Sequence, residues 1–146
     1  MMDGRLIAYL HYFTIEKNYY ECHEYGESLW LDTGRPTVLK GLIQAAVSLY
    51  HLEGGNVKGG LPMWRRAKHY LEPQMPVYEQ IDLQKLAEDM DDVFSRIPPE
   101  WHDRVVSAAA IRSLRLPSVA IRVLDADLER AVRQWQPPSG AESAKR

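Results

Sequence analysis

From Thr37 to Leu52 the chain carries Val38, Leu39, Leu42, Ile43, Ala45, Ala46, Val47 and Leu49, so that a helix over this stretch is apolar almost all round. The stretch is bounded by Asp32-Thr33-Gly34-Arg35-Pro36 before it and Gly54-Gly55-Asn56 after it, both helix-breaking runs. A helix apolar over most of its circumference belongs at the centre of a fold. The rest of the chain must therefore surround it, and the spacing of the remaining apolar residues says with what.

Leu6, Ile7, Leu10 and Phe13 recur at helical spacing and predict a helix from Asp3 to about Lys17. A second run opens at Asn18, a natural N-cap, and continues to about Leu31, either as a separate helix or as a bent continuation of the first. After Gly59-Gly60, with Pro62 in the first turn, Leu61, Trp64, Lys68 and Leu71 share a further helical face. Asp82 caps a helix whose stripe is Leu83, Leu86, Met90, Val93 and Ile97, stopped by Pro98-Pro99. Trp101 to Ile111 reads as helix, Arg115 to Leu124 as extended chain, and Asp125 as the cap of a last helix through Leu128, Val132 and Trp135. The expected fold is all-α, an irregular array of five to seven helices with at most one short strand. It forms one domain over residues 1–136, with an arm from 98 to 136 and a disordered tail from 137 to 146.

A length of 146 residues suits one domain with a real core. The formal net charge of −2 gives no global pull toward nucleic acid or an anionic membrane. No stretch approaches the roughly 20 apolar residues of a membrane span, and the N-terminus lacks the pattern of a secretory signal. The single cysteine, Cys22, excludes an internal disulfide and a cysteine-rich zinc site. These features predict a cytoplasmic protein that binds neither nucleic acid nor membrane.

The residues able to carry chemistry gather on two helices. At roughly 100° per residue, His23, Glu27 and Trp30 fall in one narrow arc with Tyr20 beside them and Glu24 at the edge. On the apolar helix, Gly41, Gln44, Ser48 and His51 form the one polar stripe. Burying such groups unpaired costs about 1–3 kcal/mol each, so the stripe is expected to face the His23/Glu27 arc in a shared seam. The seam admits three readings. It is a structural hydrogen-bond network, or it binds a small polar ligand as acid and base. In the third, His23, Glu27 and His51 are ligands to a divalent transition metal, with Glu24 as general base or fourth ligand. Tyr20, Trp30, Gln44, Ser48 and Asn56 would line the site. His23-Glu24-x-x-Glu27 lacks the second histidine of a zincin, and the glutamates of a ferritin-like di-iron site are absent. Cys22, Trp30 and Trp64 read as core, whereas His11, His69 and His102 read as surface residues.

These residues resemble the domain-of-unknown-function family 309 of bacteria and archaea. The likeness rests on Tyr20-Glu21-Cys22-His23-Glu24-x-x-Glu27-x-x-Trp30, on Gly41-Leu42-Ile43-Gln44-Ala45-Ala46, on Tyr50-His51 and on Gly55-Asn56-x-x-Gly59. A looser match continues through Leu71, Pro76, Tyr78, Ile81-Asp82 and Leu86, so it covers about Phe13 to Ile97. The resemblance implies an all-helical fold and a His-x3-Glu-x2-Trp motif suggested to bind metal, with no reaction attached. Cys22 and Gly26 depart from the residues common at those positions. An interaction or oligomerisation module is the competing expectation, with the arm from 98 to 136 docking a partner or a second copy.

Overall fold

The computed structural model describes residues 2–138, so the part of the expected tail from 139 to 146 lies outside the described residues. Among the described residues there are seven α-helices: α1 Gly4–His11, α2 Tyr19–Asp32, α3 Thr37–Glu53, α4 Val57–Leu71, α5 Leu83–Ser95, α6 Ala108–Ser113 and α7 Ala126–Gln134. The fold is all-α, with one small antiparallel pair, β1 Val77–Tyr78 and β2 Ile81–Asp82, that pairs Val77 with Asp82 and Tyr78 with Ile81. Two strands rather than one form here because Glu79 and Gln80 both adopt left-handed backbone and turn the chain back on itself.

Side-chain caps set most helix starts. Asp3 accepts from the Arg5 N–H, Asn18 from Glu21, Asn56 from Gly59, Asp82 from Lys85 and Asp125 from Asp127 and Leu128. α1 passes into a π-helical turn, Tyr12–Glu16, which ends where Lys17 turns left-handed, so α1 and α2 are distinct helices. The Asn56 cap starts α4 earlier than the glycine pair suggests, and Pro62 lies inside the helix. Residues 101–111 are not one helix: a 3₁₀ turn, Pro99–Trp101, is followed by irregular chain until Ser107 caps the short α6. Val105 there makes a bridge to Asn56, and Val106 donates its N–H to the Gly55 carbonyl, which holds this stretch away from helical geometry.

As the apolar pattern requires, α3 is central, with α2 against one side and α4 against the other. Gly26 lets α2 approach, since a Cβ there would stand 2.9 Å from Ile43 Cγ1. On the opposite side, a Cβ on Gly41 would meet Leu71 Cδ2 at 2.8 Å, and one on Gly60 would meet the Ser48 carbonyl oxygen at 2.9 Å. One buried core runs from Met2 and Leu6 through α3, α4 and α5 to Ile111, Val119, Ile121, Val123 and Val132. The arm thus wraps its own chain. The Lys17 ammonium donates to the Val119 carbonyl at 2.8 Å, and the Ile121 N–H donates to Thr14 Oγ1 at 3.0 Å.

Candidate functional site

The shared seam does not form as the polar stripe suggests. Gly41 and Ser48 lie on the face of α3 that packs against α4, where the absence of a side chain on Gly41 admits Leu71 and the Ala67 carbonyl and that on Gly60 admits the Ser48 carbonyl. Ser48 needs no partner across the interface, because its hydroxyl donates to the Ala45 carbonyl of its own helix at 2.7 Å. A stripe of Gly and Ser reads as polar by composition but works as a close-packing surface.

The outward line of α3 lies one step round, at Lys40, Gln44, Val47 and His51, spaced i, i+4, i+7 and i+11 and all half-buried. The half-buried line of α2 is His23, Glu27 and Trp30. His23 Nε2 is 3.2 Å from Glu27 Oε2, with the two side chains 28% and 47% exposed. His51 Nδ1 is engaged elsewhere, 3.3 Å from Asn56 Nδ2, while Asn56 also caps α4. Glu24 is half-buried, and its carboxylate makes no hydrogen bond or ion pair with any described residue.

What joins the two histidines is a row of rings. His23 stands 6.2 Å from Tyr20, Tyr20 stands 6.4 Å from Tyr50 across the α2–α3 junction, and Tyr50 stands 6.2 Å from His51. Both tyrosines are about half exposed, at 52% and 51%. At the His51 end the ladder borders an open hollow of about 330 Å³ lined by Tyr50, His51, Glu53, Gly54 and Asn56. Beneath the face, Trp30 Nε1 and Gln44 Oε1 are shut from solvent with no hydrogen-bond partner among the described residues. Arg35 covers the Trp30 ring at 5.4 Å, and Lys40 stands over the Tyr70 ring of α4 at 5.1 Å.

Among the described residues no group of three or more His, Cys, Asp or Glu side chains is placed to hold a metal ion. His23 and Glu27 supply two donors, fewer than the three protein ligands of a catalytic zinc site. Cys22 is buried, as expected, and its thiol donates to the Tyr9 carbonyl at 3.3 Å. Trp64 is core and donates to Asp91 Oδ1 at 2.9 Å. His11 corrects the expectation of a surface residue: it is buried, and Nδ1–H donates to the Val132 carbonyl at 2.7 Å. Tyr50, Lys40 and Val47 are parts of the outward face that the polar-stripe argument passes over. The spacing 40, 44, 47, 51 contains Lys40 and Val47, with Tyr50 beside its end, but its mixture of cation, amide and aliphatic hides the line.

A small all-α protein with its distinguishing side chains on the outward face of three packed helices is the class defined here. The chain belongs to the family described as domain of unknown function DUF309, whose model matches residues 6–63. It is 30% identical over 138 residues to the uncharacterized protein YpuF of Bacillus subtilis (strain 168), covering 91% of this chain and 72% of that protein. No solved structure matches the chain. No helix among the described residues is long and apolar enough to cross a membrane.

Proposed function

We propose that the chain is a binding module without chemistry of its own, and that the outward face of α2 and α3 receives a basic segment of a protein partner. The observation that carries this reading is the exposed ladder His23–Tyr20–Tyr50–His51. Large aromatic rings held on rigid helices are the residues on which binding energy concentrates, because they offer area at little entropic cost. Tyr20, Glu24 and Glu27 follow one another at i, i+4 and i+7, and Glu53 lines the hollow at the His51 end of the ladder. Carboxylates beside tyrosine faces favour an arginine or lysine, through cation–π contact and charge-assisted hydrogen bonds.

The test is fluorescence anisotropy with labelled peptides that differ only at a central Arg, Lys or Gln between apolar neighbours. The Arg peptide is expected to bind, the Gln peptide at least about tenfold more weakly. Tyr20→Ala with Tyr50→Ala is expected to weaken Arg-peptide binding by about tenfold or more. Equal binding of all three peptides, or no loss in the double variant, overturns the reading. A second reading rests on the 3.2 Å approach of His23 Nε2 to Glu27 Oε2, which two ligands of one divalent metal would also make. Metal analysis of untagged protein decides that case: content that does not fall in His23→Ala and Glu27→Ala removes it.

A further inference from the structure

On the other side of the end of α3 lies a cleft of about 490 Å³, between the α1–α2 junction, α5, α6 and the extended chain that follows α6. Its floor is aliphatic, built from Leu49, Leu52, Val93 and Leu116. Its walls are basic, carrying Lys17, Arg112 and Arg115 against the single carboxylate of Glu53. In a chain of net charge −2 this is a local reversal of sign. The two arginines are exposed, and their guanidinium groups make no hydrogen bond or ion pair with any described residue. Lys17 spends one of its three N–H donors on the Val119 carbonyl and keeps two. Burial also weakens the hold of its ammonium on the proton, a penalty that an anion alongside would relieve. A comparable cleft between α5 and α7 differs in that its cations are paired at home, Lys85 with Asp89 and Arg133 with Glu129.

We infer that the cleft bordered by Lys17, Arg112 and Arg115 binds a small amphipathic carboxylate, its chain on the aliphatic floor and its head between the cations. The volume is in the range of small-molecule sites, and a largely apolar lining with a few converging polar groups is the usual make-up of such sites. Arginine pairs with a carboxylate through two parallel hydrogen bonds, a geometry that an ammonium cannot offer. Glu53 marks the limit of the cationic zone. It also lines the hollow beside His51, and burial raises its pKa. Its charge opposes the ligand, so neutralising it should help binding.

Isothermal titration of the full chain with octanoate, and separately with 1-octanol, tests this. Octanoate is expected to bind at least about tenfold more tightly than octanol, and Arg112→Ala with Arg115→Ala to erase that preference. Glu53→Gln is expected to tighten octanoate binding several-fold. Methyl shifts of Leu49 and Val93 would place the ligand on the floor. Because both guanidinium groups are exposed and unpaired, the double variant should keep the parent's thermal midpoint, so lost binding is not lost folding. Absence of octanoate binding at millimolar concentration, equal affinity for octanol, or unchanged binding in the double variant overturns the inference.

Discussion

Cys22 stands between Tyr20 and His23, inside the most characteristic stretch of the chain, yet its sulfur points away from the outward face and donates to the Tyr9 carbonyl. Burial pushes its thiol well above the usual value of 9.0, and it does the same to the phenols of Tyr9 and Tyr19 above 10.0. Two outcomes follow. A thiol reagent at pH 8 should leave the native protein unlabelled for hours and modify one cysteine at once in denaturant, as absorbance of the released thiolate reports. The linkage has a definite sign: above about pH 9 the unfolded chain loses these protons while the folded chain keeps them. Stability is therefore fully present below pH 9 and falls as pH rises, which urea midpoints at pH 8 and pH 10.5 measure. The burial of Cys22 was legible in its position on the helix, off the polar arc. That of His11 was not, because its partner, the Val132 carbonyl, lies 121 residues away and backbone carbonyls leave no trace in a residue pattern.

Elements were legible wherever a local rule acts alone. The caps Asp3, Asn18, Asp82 and Asp125 each satisfy an N–H within three residues, so spacing reveals them. The face that α3 turns to each neighbour was harder to read. By residue type Gly41 and Ser48 ask for polar company, whereas they are places where α4 comes close, with Gly60 beneath the Ser48 carbonyl. Gly60→Ala separates the two accounts. On helix propensity alone, alanine stabilises by about 1 kcal/mol. Here its Cβ would stand 2.9 Å from a backbone oxygen that cannot rotate away, and such overpacking costs about 1–3 kcal/mol. The expected result is a net loss of stability and a lower thermal midpoint by circular dichroism. A midpoint at or above the parent's would mean that α3 and α4 are free to separate there. Lys40, Gln44, Val47 and His51 hold the outward line because 41, 48 and 52 are committed to α4.

At the scale of the molecule, the segment from 98 to 136 decides whether the N-terminal helices stand without help. An arm that serves a second copy could be removed with little effect on the rest. The observed arm instead places Ile111, Val119, Ile121, Val123 and Val132 in the same core as Leu10, Leu49 and Met90. Trp135 packs at 5.4 Å from the rings of both His11 and Tyr12, and at 5.6 Å from Tyr25 of α2. Five aliphatic side chains at about 1.5–3 kcal/mol each amount to about as much as the whole 5–15 kcal/mol or so by which a domain outweighs its unfolded state. A chain ending at Pro99 is therefore expected to lose its cooperative thermal transition and to bind a hydrophobic dye, even though the family match at 6–63 stays intact. A truncated chain that still melted sharply near the parent's midpoint would show the arm to be an appendage, and its apolar residues would then need another partner. The family-like helices carry the outward face, while the arm adds five aliphatic residues to their core and the two arginines to the basic wall of the second cleft. Loss of the arm should thus abolish octanoate binding and weaken the peptide face only through unfolding, a difference that low temperature or a stabilising osmolyte would bring out.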